Sequence, residues 1–284
     1  MVCVAVRAVE DSLERAIEVS VVIEEIRVAL YASFIGIIVI GIILTRSFAS
    51  VDYDDNFLTR VFGNTNVCIY FDFPPSTYVL PALYNVCVFF SVLYGLASAL
   101  RAWISSEEGK ISRRALRLLV AAYMYFILSA MYFTTIFAVE PNPEVPHTMV
   151  IHSLPFVNLE VALGVLQTAI TYFGTRVAWI DIGLPRRYGT LAWVHLGLQL
   201  IASVGKIVFQ INALGDMDEG RGRGLWWSVA DPTATSLAVV MDYSWLLLTL
   251  VVPLAQSIHL ACKGMRTHAI HLTIHDNRAA VGHA

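Results

Sequence analysis

The sequence predicts an all-α, polytopic integral membrane protein: six transmembrane helices in one bundle, preceded by an amphipathic N-terminal helix. Three observations carry this expectation. Across 284 residues, 57% are hydrophobic and only 14% are charged, against roughly 25% charged in soluble domains. Six separate stretches are largely apolar over about 20 residues, the length that crosses a bilayer as a helix. Finally, fourteen of the nineteen Lys and Arg fall on one side of those stretches, the asymmetry that sets orientation in a membrane.

Residues 1–27 carry Val6, Val9, Leu13 and Ile17 at helical spacing, which reads as an amphipathic helix. Six acids lie among them: Glu10, Asp11, Glu14, Glu18, Glu24 and Glu25. That acidity is unlike a mitochondrial presequence and gives the helix no attraction to an anionic leaflet, so it is expected to pack on the protein's own cytoplasmic loops. The spans are expected at 28–45, 78–102, 115–139, 149–173, 191–214 and 234–262, together one transmembrane domain over 28–262. Arg27 and Arg46 bracket the first. Pro141, Pro143 and Pro146 break the chain between the third and fourth, and Pro253 is expected to kink the sixth. Residues 263–284 read as a cytoplasmic tail.

Orientation follows from the cations. Arg7, Arg15 and Arg27, then Arg101, Lys110, Arg113, Arg114 and Arg117, then Arg176, Arg186 and Arg187, then Lys263, Arg266 and Arg278 share one side. Arg46, Arg60, Arg221 and Arg223 lie on the other. Both termini are therefore expected in the cytoplasm of a plasma-membrane or endomembrane protein. The outer loops are acidic and aromatic, with Asp52, Asp54, Asp55 and Asp72 beside Phe62, Tyr70, Phe71 and Phe73, and with Asp216, Asp218, Glu219 and Asp231 around Trp226 and Trp227. The aromatics suit an interfacial belt. The acids suit either a solvated surface or a vestibule that gathers cations.

The remaining cation, Lys206, sits inside the fifth span. An ammonium at the centre of a bilayer costs about 3 kcal/mol even on lenient insertion scales, so the chain must give it a partner or a use. His195, Gln199, Ser203, Lys206 and Gln210 share one face of that helix. His152, Glu160, Gly164, Gln167 and Thr171 form such a face on the fourth span, and Asp242, Thr249, Pro253 and Gln256 on the sixth. Three polar faces on consecutive helices must converge on a common interior. Spans one to three, with Asn85 and Ser129 as their main polar residues, read as the wall. At 1.5 Å per residue, Lys206 and Asp242 both lie about 12 Å below the outer boundary, which makes an ion pair natural. Glu160 lies about 4 Å deeper on the same rise. Two carboxylates and one ammonium leave one negative charge over, so one acid carries a proton or a further cation enters. The candidate pathway residues are Glu160, Lys206, Asp242, His152, Gln167, His195, Gln199 and Gln210.

Other chemistry is poorly served. Haem ligation needs paired histidines, and His152, His195 and His259 do not pair; retinal on Lys206 would need a seventh helix. Cys3, Cys68, Cys87 and Cys262 show no metal spacing, and His268, His271 and His275 read as solvated. No G-x-S-x-G, H-E-x-x-H or phosphate-loop pattern occurs, so neither an enzyme nor a cofactor is expected. The net charge of −3 gives nucleic acid no handle. The expected partners are membrane lipids and, for a subunit, a second copy or another membrane chain.

Six spans, both termini inside and the run Asp242, Tyr243, Ser244, Trp245 at the start of the last span resemble the Frag1/DRAM/Sfk1 group of membrane proteins. The group's outer-loop motif is missing after span one, and the resemblance leaves Lys206 unaccounted for. The resemblance implies a non-catalytic role in lipids or membrane trafficking. The residues themselves imply a channel or transporter subunit for a small cation or a proton-coupled solute. The alternative is a non-enzymatic scaffold whose buried ion pair is structural.

Overall fold

An apolar run of this length satisfies its backbone in lipid only as a helix, and six such helices form. In the computed structural model of the protein, which describes residues 5–11, 14–65, 67–142, 144–262 and 269–275, span one is Ile23–Phe48, span two Ser76–Glu107, span three Arg113–Phe137, span four His147–Asp181, span five Arg186–Gly215 and span six Pro232–Cys262. All six are long and apolar enough to cross a membrane. Span six opens on Asp231, whose carboxylate accepts from the Thr233 and Ala234 amides at 2.9 Å each, with Pro232 in the first turn. Its ladder loosens into a π-helical turn, Leu247–Val251, just before Pro253, which has no N–H to offer. Span four contains a similar turn at Gly174–Ala178.

Each span packs on the next, and span six returns to span one, closing the bundle. A chain of rings ties the centre together. Phe34 meets Tyr84 at 6.0 Å, Tyr84 meets Phe133 at 5.0 Å, Phe133 meets Phe156 at 5.9 Å, and Phe156 meets Trp245 at 5.6 Å. Polarity is turned inside out relative to a soluble domain. Leu118, Ile201 and Val204 point outward at 60% exposure or more, while Arg27, Glu160, Gln167, Gln199 and Lys206 are buried. A lipid-facing surface asks for that distribution.

The two ends of the bundle differ. At one, here the loop end, segments 49–75 and 216–231 fold over the helices. Asn56 caps the short helix Phe57–Phe62 through a reciprocal bond pattern with Thr59. A Cβ on Gly63, at φ +72°, would overlap the Val229 carbonyl, and one on Gly222 would overlap the Val61 carbonyl. The two loops therefore lie backbone against backbone.

The opposite end corrects an expectation. In place of an N-terminal amphipathic helix over 1–27, strands Ala5–Asp11 and Glu14–Val22 precede a span that begins at Ile23. The second strand is central. It pairs antiparallel with the first and with Ala269–His275 from the expected tail, in a register that sets Ile17 opposite Ile274 and Val19 opposite Leu272. Residues 17–21 alternate, Ile17, Val19 and Val21 with Glu18 and Ser20. β-branched residues in that alternation favour strands. The helical spacing spanned the gap between the two strands, and the partner lies some 250 residues away. His271 and His275 belong to this third strand; His268 and the tail cations Lys263, Arg266 and Arg278 lie outside the described residues. In the wall, Ser129 is buried while Asn85 faces outward.

Candidate functional site

The polar faces of spans four, five and six turn inward together. His152, Glu160, Gln167, Gln199, Ser203, Lys206, Gln210 and Thr249 are all at least nine-tenths buried. At their centre, Lys206 Nζ donates to Asp242 Oδ1 and stands 3.8 Å from Glu160 Oε1. It also lies 5.2 Å from the centroid of Phe156 and 5.3 Å from that of Trp245, where ring faces attract a cation. Two carboxylates and two aromatic faces thus surround one ammonium. The depth match on helices adjacent in sequence made the Asp242 contact foreseeable. Nothing in the spacing pointed to Phe156 or Trp245.

The other candidates divide. His195 lies farther along span five, where its Nε2 donates to the Leu248 carbonyl at 2.7 Å, inside the π-helical turn of span six. Gln167 donates weakly to Thr171, at 3.5 Å. Among the described residues, the Oε1 atoms of Gln167, Gln199 and Gln210, both oxygens of Glu160, Ser203 Oγ and Thr249 Oγ1 make no hydrogen bond. His152 belongs to a second pair. Its Nδ1 donates to the Val139 carbonyl at 2.7 Å, and its Nε2 stands 3.2 Å from Asp72 Oδ1. Asp72 was grouped with the acids of the outer loops; it is in fact buried, with its side chain 5% exposed.

Two further features escaped the sequence reading. Arg27, taken as a flanking cation of span one, is fully buried at the sheet end. It donates to Gln256 at 2.8 Å and to Glu24 at 3.5 Å, and its guanidinium lies 5.6 Å from the Tyr31 ring centre. The position of Gln256 on the polar face of span six is the one trace of this contact in the sequence. At the loop end, a pocket of about 30 Å³ reaches down to Lys206 and Asp242 between Phe62, Phe209 and Trp227. A second cavity, about 50 Å³, lies near the sheet end beside Glu24, Tyr94, Ser98 and Tyr123. No group of three His, Cys, Asp or Glu is placed to hold a metal ion among the described residues.

No family model, curated protein or solved structure matches this chain. The resemblance to the Frag1/DRAM/Sfk1 group therefore rests on the plan of spans and the run Asp242 to Trp245 alone.

Proposed function

We propose that this is a multi-pass membrane protein that moves a small cation, or a solute coupled to protons, along the polar interior of spans four to six, with both termini cytoplasmic. One observation carries the reading. Buried oxygens of Gln167, Gln199, Ser203 and Thr249 line three facing helices without hydrogen-bond partners among the described residues. A buried polar group left unpaired costs about 1–3 kcal/mol. A chain that keeps four such residues together has a use for their free lone pairs, and a water file or a passing cation is what they suit. From Gln210 to His195, span five rises about 22 Å at 1.5 Å per residue, so its polar face covers most of a bilayer core.

The two ends of this file differ in kind. The loop end opens through the pocket above Asp242. The sheet end is closed by Arg27, a group that stays charged at any physiological pH and opposes the passage of cations. That is the form of a site reached from one side, with the Arg27–Gln256 contact as its barrier.

The second reading is a non-enzymatic scaffold in which the same charges only fix helix packing. The enclosure of Lys206 by Asp242, Glu160, Phe156 and Trp245 favours it, since a fully held ammonium specifies register without transporting anything. Glu160→Gln separates the two. It keeps shape and removes the titrating oxygen. In the transport reading, reconstituted vesicles lose pH-dependent flux while the thermal midpoint stays within a few degrees. In the scaffold reading, the wild-type protein itself passes no protons, alkali cations or small solutes.

A further inference from the structure

We propose that the loop-end pocket is a docking site for a small primary ammonium ion, a short alkylammonium such as methylammonium. The proposal rests on the transport reading for its purpose and names the class of cation. Three oxygen acceptors meet there. Gln210, nine-tenths buried, lines the pocket with an Oε1 that has no partner among the described residues. Asn64 lines it as well; its Nδ2 donates to the Phe62 carbonyl at 3.3 Å, which orients the amide and leaves Oδ1 without a partner among the described residues. The third acceptor is the Asp242 carboxylate, which uses Oδ1 for Lys206 and is the more exposed member of that pair, at 17% against 2%.

An ammonium head carries three N–H donors and no acceptor, so its bonding matches this set. The walls agree. Phe62, Phe209 and Trp227 flank the opening, with Phe209 and Trp227 edge to face at 5.4 Å. Aromatic faces attract organic cations. Lys206 lines the pocket floor beside Asp242, and its charge is already answered there by Asp242 and, from beneath the pocket, by Glu160.

Size and rigidity narrow the class. A water-sized occupant needs about 10–15 Å³ of such volume, so about 30 Å³ takes two or three heavy atoms and excludes a quaternary ammonium. The rim is held in place. Asn212 accepts from the Trp226 and Trp227 amides at 2.8 and 3.2 Å and donates to the Trp227 carbonyl at 3.0 Å. Thr235 Oγ1 donates to the Val229 carbonyl at 3.0 Å. A rigid rim lowers the ordering cost of binding.

The test is thermal unfolding of the full chain in nanodiscs, titrated with methylammonium chloride and compared with sodium, potassium and tetramethylammonium chlorides at matched ionic strength. Methylammonium should raise the midpoint saturably, as a ligand of the folded state must, and the three comparison salts should not. Gln210→Leu and Asn64→Leu, which leave the Lys206–Asp242 pair intact, should each weaken the apparent dissociation constant about tenfold or more. The absence of a saturable shift overturns the proposal, as does an equal shift with sodium or potassium, or a shift that both variants retain. Flux measured on the same protein keeps the two ideas apart. Binding without any flux leaves the docking site standing and removes transport. Proton or alkali-cation flux without methylammonium binding does the reverse.

Discussion

Lys206 holds a charge inside an apolar bundle because each direction around it is answered: Asp242 across to span six, Glu160 across to span four, and the Phe156 and Trp245 rings beside it. Removing one member of such a set leaves the others buried and unmatched. Lys206→Met should therefore cost about 3–5 kcal/mol, the usual penalty for orphaning a buried charge, read from denaturation in bicelles. The double change Lys206→Met with Asp242→Leu should recover much of it, since an apolar pair of similar volume is tolerated. A double variant no better than the sum of its singles would dissolve the pairing.

Among the connecting elements, the loop-end clasp is the part most sensitive to a single methyl group. Gly63 needs its left-handed backbone and also the space beside the Val229 carbonyl. Gly63→Ala, through backbone strain, and Gly222→Ala, through overlap with the Val61 carbonyl, should each lower stability by about 1–3 kcal/mol and loosen the pocket rim. Gly36, on span one, has nothing within 4 Å of a built Cβ, so Gly36→Ala should be neutral or slightly stabilising, because alanine suits a helix better. At the other end, the strand Glu14–Val22 bonds on both sides. Its amides should exchange slowly in the full chain and faster when residues 269–275 are deleted, measured by hydrogen exchange. Unchanged protection would mean that the third strand contributes nothing.

For the whole molecule, orientation is the property on which the transport reading depends, since it decides which compartment the pocket faces. The Lys and Arg distribution predicts that Ser112, an exposed residue between spans two and three, faces the cytoplasm. Ser112→Cys in a background cleared of Cys3, Cys68, Cys87 and Cys262 should react with an impermeant reagent only from that side. Labelling from outside alone would invert the molecule and put Arg27, not Asp242, toward the exterior.

Hydrophobic length and polar periodicity are local properties, so the sequence by itself determined the six spans, the irregularity at Pro253, the inward faces of spans four to six and the Lys206–Asp242 pair at matched depth. Helix rise converts residue number directly into depth, and depth is what an ion pair between neighbouring helices requires. What depends on distant segments meeting was decided only by the tertiary structure. The N-terminal residues became strands because Ala269–His275 arrives to pair with them, and a local window cannot contain that partner. Asp72 left the solvated acids because the chain folds back onto His152. Arg27 left the flanking cations because Gln256, at the far end of span six, closes the bundle against it. Phe156 and Trp245 read as ordinary apolar residues until packing turned their faces to an ammonium. Burial and partner are properties of the assembled bundle, and no spacing along the chain encodes them.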